Sequence, residues 1–258
     1  MTELKATDLS ASIGRSKILD GVSVSFGAGE LVGLIGPNGA GKTSLLKCLL
    51  GLLKPDSGAI SLDGQALPVW SRLEVARRLG YLPQGAPCHW PMTTEHIVEL
   101  GWLPHGATMR KNDNQVQTSV DKALAQTGTT HLRSRVVTTL SGGERTLVMI
   151  ARCLAGRAPL LLADEPVTGL DPRHQIEIMQ TLHAHAAGPG GVVAVVHDLN
   201  LAARFCSRLV LMDQGRIVSV GTPNQVLTPE RLAKVYGIDV ALQSVDGQKV
   251  VVYRSPQD

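Results

Sequence analysis

An α/β fold with a mostly parallel central sheet, an N-terminal antiparallel β-subdomain and an inserted α-helical subdomain is predicted by three observations. Three short apolar runs, Leu31-Val-Gly-Leu-Ile35, Leu160-Leu-Leu-Ala163 and Val192-Val-Ala-Val-Val196, lack alternation, and each precedes polar or glycine residues and then a helical pattern. Central parallel strands read this way because both of their faces are buried. The first 30 residues alternate instead, and between residues 86 and 155 the β-signal gives way to helical spacing.

Taken in order, Leu4 to Leu9 and Val22 to Phe26 read as antiparallel strands, and Leu31 to Ile35 as the first central strand. An apolar helix is expected over Ser44 to Leu53, and a short strand, Gly80 to Pro83, ends at Gln84. Within the insertion, Thr94 to Leu100 and Val116 to Thr127 carry helical spacing, and a further helix runs to Leu154. Strands return at Leu209 to Met212, Ile217 to Val220 and Lys249 to Tyr253. Thr222-Pro223 and Thr228-Pro229 read as helix caps followed by proline at the first helical position. The expected organisation is a single domain over 1–258, with a core from 1–85 and 156–258 and a helical subdomain over 86–155. A chain of 258 residues can bury one such core with a small subdomain attached.

Composition removes several function classes. The net charge is only +3, and the basic pairs Arg77-Arg78 and Arg110-Lys111 are isolated, so no nucleic-acid partner is expected. Cys48, Cys88, Cys153 and Cys206 match no metal-ligand spacing and read as reduced thiols in a cytosolic protein. Met1 to Lys5 carries no apolar signal segment. No run reaches the roughly 20 apolar residues of a membrane span, because Arg152 and Arg157 interrupt the best candidate.

The chemistry-bearing residues sit where the apolar runs end. Gly36-Pro37-Asn38-Gly39-Ala40-Gly41-Lys42-Thr43 fits G-x-x-x-x-G-K-[ST] between a strand and a helix, the pattern of a P-loop NTPase core. Glycines let backbone N–H groups turn toward a β-phosphate, and the helix opening at Ser44 adds its positive end. Lys42 would reach the β- and γ-phosphates of ATP, and Thr43 would place a hydroxyl on Mg2+. Asp164 and Glu165 close the second apolar run. Asp164 would hold the magnesium shell and Glu165 would polarise the attacking water, although Asp164 ahead of Pro166 also reads as a helix cap. Ser141 and Glu144 fit a capping box. Gly142 and Gly143 between them are poor helix formers, at about 1 kcal/mol each against alanine. They make sense if an anion approaches that helix end closely. His197 ends the third apolar run, and Asp171 before Pro172 reads equally as a cap.

Together these motifs resemble the nucleotide-binding subunit of an ABC transporter over nearly the whole chain. Leu140 to Glu144 resembles the family's signature sequence, Gln84 its Q-loop glutamine, Thr168-Gly-Leu-Asp171 its D-loop and His197 its switch histidine. The resemblance implies a head-to-tail homodimer with each ATP between one subunit's phosphate loop and the other's Ser141, Gly142 and Gly143. It implies that His197 touches the γ-phosphate and that Gln84 contacts magnesium or water. It places Ile13 where the family usually stacks adenine on an aromatic, and no aromatic precedes Phe26. Thr94 to His105, Val196 to Ala203 and Thr222 to Pro229 resemble importers of iron–siderophore complexes, haem and cobalamin, with Trp102 where that group commonly has arginine. The expected role is an importer ATPase on the cytoplasmic face of the membrane, beneath two membrane-spanning permease subunits and served indirectly by a substrate-binding protein. An importer of another substrate and a soluble, non-transport ABC ATPase are the alternatives.

Overall fold

The computed structural model describes residues 2–85, 88, 90–106, 114–245 and 248–254. The chain opens with a hairpin of β1 (Glu3–Ile13) and β2 (Ser16–Gly27), both longer than the expected strands. Register shifts between Ala6 and Ser12 interrupt the alternation, which hides their true length in the sequence. β3 (Leu31–Ile35) then leads through the glycine loop into α1 (Lys42–Leu49). This helix starts before the expected Ser44 because Gly41 is its N-cap, which winds Lys42 and Thr43 into the first turn. It stops short of Leu53 because Gly51 turns left-handed (φ +69°) and Leu52 N–H donates back to Lys47 O at 2.8 Å.

β4 (Ser57–Leu62) pairs with β1, and β5 (Gln65–Ala66) with β4, giving a four-stranded antiparallel sheet in the order β2-β1-β4-β5. α2 (Arg72–Arg78), closed by a Ser71/Glu74 capping box, precedes β6 (Leu79–Leu82). The expected insertion contains α3 (Thr94–Glu99), a 3-10 stretch over Leu100–His105, α4 (Asn114–Gln126) and α5 (Gly142–Ala155). The Arg110-Lys111 pair lies outside the described residues. Trp102 is buried against His105 at 4.6 Å between ring centroids, with Arg157 over its ring, whereas Trp90 is exposed. The α/β alternation resumes with β7 (Leu160–Ala163), α6 (Pro172–Ala186), β8 (Gly191–Val195), α7 (Leu199–Phe205) and β9 (Arg208–Asp213). β10 (Arg216–Gly221) turns back on β9, and the tail adds α8 (Pro223–Val226), α9 (Pro229–Tyr236) and a hairpin of β11 (Val240–Val245) and β12 (Gln248–Tyr253). Both short tail helices carry proline in their first turn, as the sequence indicates.

The six-stranded sheet has the order β10-β9-β3-β8-β7-β6, parallel from β9 to β6 and antiparallel at β10. It separates two cores. Leu31, Ile35, Leu161, Ala163, Val192 and Ala194 enter one, with Val148, Ile150 and Ala151 of α5. Val32, Leu34, Leu160, Leu162, Val193 and Val195 enter the other, with Leu45, Leu46 and Leu49 of α1. Successive strand residues thus point into opposite cores, and each run stays apolar throughout. Each fully buried Leu or Val is worth about 1.5–3 kcal/mol of transfer free energy, so the two cores fix the strands firmly. Since β3, β8, β7 and β6 are neighbours, the residues that follow them, Gly36, His197, Asp164-Glu165 and Gln84, gather along one edge.

Candidate functional site

The loop after β3 begins at Gly36, whose φ of +146° favours glycine and where a Cβ would fall 2.1 Å from Met212 O. Lys42 is buried, its Nζ donating to Gly36 O at 2.7 Å and Pro37 O at 2.8 Å. Burial pulls its ammonium below the usual lysine range, against the opposing charges of Glu165 and Asp164. Thr43 Oγ1 donates to Asp164 Oδ1 at 2.9 Å, so the loop and the end of β7 meet directly. Asp164 is only 2% exposed. Burial pushes its carboxyl up, the Thr43 hydrogen bond opposes this, and the neighbouring charge of Glu165 adds to it.

Glu165 joins the other two strand ends. Its Oε2 accepts from Gln84 Nε2 at 2.8 Å, and its Oε1 lies 2.8 Å from His197 Nε2. Its backbone is left-handed, with φ of +51°. Such a conformation in a non-glycine residue costs about 1–3 kcal/mol and recurs at functional sites. Burial works against ionisation of this carboxyl, but the hydrogen bond and charge of His197, with Thr168 and Lys42, outweigh it and hold Glu165 below the usual carboxylate range. Two adjacent carboxyls are therefore pushed in opposite directions. Asp164 is pushed toward its neutral form and Glu165 is held in its ionised form.

Ser141, Gly142 and Gly143 stand apart from this cluster, at the start of α5. Ser141 Oγ accepts from Glu144 N–H at 3.2 Å, and Glu144 Oε2 accepts from Ser141 N–H at 2.9 Å, completing the expected capping box. Ser141 is exposed. The two glycines have an intrachain reason that the sequence did not reveal. A Cβ on Gly143 would fall 2.1 Å from His174 Cδ2, and one on Gly142 would fall 3.2 Å from Leu170 Cδ2. Asp171 is the N-cap of α6, its Oδ1 accepting from the N–H groups of Arg173 and His174 at 3.1 and 3.2 Å. Ile13 lies at the end of β1, 60% exposed. Its hairpin is tied to the loop, because Asp20 N–H donates to Gly215 O at 2.9 Å and Gly215 N–H to Ala40 O at 3.2 Å.

Sequence reasoning missed His174 and Gln175. His174 Nδ1 lies 2.5 Å from Asp171 Oδ2, and Gln175 Nε2 donates to Leu170 O at 3.0 Å. The available signal was a pair of polar residues in the first turn behind a capping aspartate.

The sequence pattern of the family described as "ABC transporter" matches residues 19–168. The chain belongs to the ABC transporter family. The hemin import ATP-binding protein of Pseudomonas entomophila (strain L48) is 43% identical to this ABC ATPase over 235 residues, covering 89% of the chain and 91% of that protein. The cobalamin import ATP-binding protein of Halobacterium salinarum (strain ATCC 29341 / DSM 671 / R1) is 40% identical over 240 residues, covering 93% of the chain and 60% of that protein. A solved metal-chelate type ABC transporter in an inward-facing conformation shares the fold, with a TM-score of 0.83 at 24% identity, covering 98% of this chain and 97% of that one. As a member of the family, this ABC ATPase binds and hydrolyses ATP. Among the described residues, no helix is long and apolar enough to cross a membrane.

Proposed function

We propose that the chain is the ATP-hydrolysing motor of an importer for a metal chelate such as an iron–siderophore, haem or cobalamin. The observation that carries this reading is the 43% identity to a hemin import ATP-binding protein over 89% of the chain. In this reading residues 1–85 and 156–258 form the core with its antiparallel β-subdomain, and 86–155 the helical subdomain. Gly36 to Ser44 bind the phosphates, with Lys42 leaving the carbonyls of Gly36 and Pro37 for the β- and γ-phosphates. Glu165 takes the proton of the attacking water, and His197 holds that water against the γ-phosphate. Ile13 covers the adenine.

Mg2+ fits the oxygen donors available. Thr43 Oγ1 and Asp164 Oδ1 are 2.9 Å apart, and among the described residues no group of three or more His, Cys, Asp or Glu forms a ready-made cage. Magnesium usually keeps several waters and takes one or two carboxylates beside substrate phosphates. Thr43, Asp164 and Gln84 would hold it, and it would offset charge on the transferring phosphoryl group.

A second copy completes the site head to tail. Exposed Ser141, with Gly142 and Gly143, meets the γ-phosphate held by the partner, and Asp171 lies at the same junction. Two permease subunits dock from the membrane at the cytoplasmic face, in the cleft beside Gln84 and the helical subdomain, and a substrate-binding protein delivers the chelate to them. An apolar cavity of about 640 Å3 lies among residues 48–81 of the core, lined by Leu52, Leu53, Trp70, Val75 and Tyr81.

The test is ATP-dependent uptake in proteoliposomes containing the chain, its co-purified permease and the binding protein. Hemin, cobalamin and a ferric siderophore are offered in turn. Uptake of one of them, abolished by Glu165→Gln, is expected. Uptake of none, with ATPase intact, removes the metal-chelate assignment. Failure to co-purify any polytopic membrane protein points instead to the soluble alternative.

A further inference from the structure

The start of α5 and the start of α6 are built around one side chain. His174 lies in the first turn of α6, its ring edge against the backbone of Gly143 so closely that any Cβ there would fall 2.1 Å from Cδ2 and 2.3 Å from Cγ. The ring cannot turn freely, because Nδ1 is 2.5 Å from Asp171 Oδ2. Capping α6 does not require this arrangement. Asp171 Oδ1 alone receives both cap N–H groups, at 3.1 and 3.2 Å, which leaves Oδ2 to the imidazole. Gln175 closes the turn from the other side, its Nε2 donating to Leu170 O at 3.0 Å and to Val167 O at 3.4 Å. Leu170, held in that turn, sits against Gly142. The turn itself starts at Glu165, where Thr168 N–H donates to Glu165 O at 3.4 Å.

We propose that His174 is a positioning residue for the phosphate-facing end of α5. Oriented by Asp171, its ring seats Ser141, Gly142 and Gly143 on the turn that begins at Glu165, so both segments move as one body. The inference rests on the reading of Ser141 to Gly143 as the half-site offered to a second copy. It goes beyond that reading by assigning the coupling within one subunit between that half-site and the Glu165 cluster. Displacements of about 1 Å at such a contact are enough to cost orders of magnitude in turnover, and contacts that link two sites typically carry a few-fold to about 30-fold. The ring has two separable attachments, which makes the assignment testable. His174→Ala removes both. His174→Asn keeps a donor for Asp171 but takes the ring edge off Gly143.

Steady-state ATPase of the full chain, MgATP binding and thermal melting are measured for both variants. His174→Ala is expected to lower kcat about tenfold while MgATP affinity stays within about twofold and the melting temperature holds. His174→Asn should melt like the parent and remain near the His174→Ala rate. An unchanged kcat in His174→Ala overturns the assignment. So does a fall in kcat matched by equal losses of ATP affinity and folding, or full activity in His174→Asn. Ser141→Arg separates this inference from the reading beneath it. If Ser141→Arg abolishes turnover and His174→Ala does not lower it, only the role of His174 falls. If Ser141→Arg also leaves turnover unchanged, the composite site itself fails.

Discussion

At the end of β7 the polar groups are satisfied by residues from distant segments, whereas at the start of α5 they are satisfied by residues close in sequence. Asp164 meets Thr43, and Glu165 meets Gln84 and His197, so residues far apart in sequence share one carboxylate pair. Ser141 and Glu144 bond to each other's ends, with Arg135 3.6 Å from Glu144 Oε1, and Ser141 remains exposed. A cluster closed by long-range bonds is complete inside one chain. A helix end whose bonds are close in sequence and whose capping Ser141 is exposed is suited to meet something from outside. Under the proposed dimeric site, the contrast separates the half of the chemistry that one subunit contains from the half that it offers.

The largest test of the contrast is Glu165→Gln. It keeps an acceptor for Gln84 or His197 but removes the carboxylate proposed as the base, and turnover should fall by about 10²–10⁴ with MgATP still bound. Full activity would remove Glu165 from the proton-accepting role. Next in size is Ser141→Arg, which should lower steady-state turnover by about 10² while isolated subunits bind ATP normally. If binding falls instead, the α5 end belongs to the same half-site as the phosphate loop. Ile13→Tyr lies on the loop's own side, and base–aromatic contacts of about 1–3 kcal/mol predict ATP affinity tighter by about fivefold or more in equilibrium titration. No change would take position 13 away from the adenine. Smallest is Glu144→Gln, which keeps the capping geometry and removes a charge. Ser141 N–H, the main cause, holds the Glu144 carboxyl below its usual range, so its stabilisation is present above the unfolded-state pKa near 4.5 and is lost as pH falls through the lower folded-state value. The variant should lose less stability between pH 6 and pH 3 than the parent, by at most about 2 °C in Tm.

Much of the fold could be read because of where the sheet lies. The runs at Leu31, Leu160 and Val192 are apolar at every position since a core covers each face of their strands. β4 escaped notice because Ser57, Gly58 and Ala59 are exposed and carry little alternation. α2 escaped because none of its residues is buried, which leaves no apolar stripe to detect. β11 was missed beside its partner β12 because Gln243, Ser244 and Val245 are all exposed. In the site, the strand-end residues were legible because parallel sheets gather their carboxyl ends. The left-handed backbone of Glu165 was not, nor was its position between Gln84 and His197, because both depend on how separate loops meet. Gly142 and Gly143 were read as room for an anion, and the structure adds a neighbour within the chain, His174, that also needs the space.

The backbone at Glu165, with φ of +51°, also sets the terms for any attempt to engineer this protein. Glycine and asparagine tolerate that conformation far better than glutamate does. A screen that rewards heat resistance alone will therefore favour Glu165→Gly or Glu165→Asn, and with them discard the carboxylate proposed to take the proton of the attacking water. Thermal improvement of this motor has to be sought away from position 165, or selected with activity in the same assay.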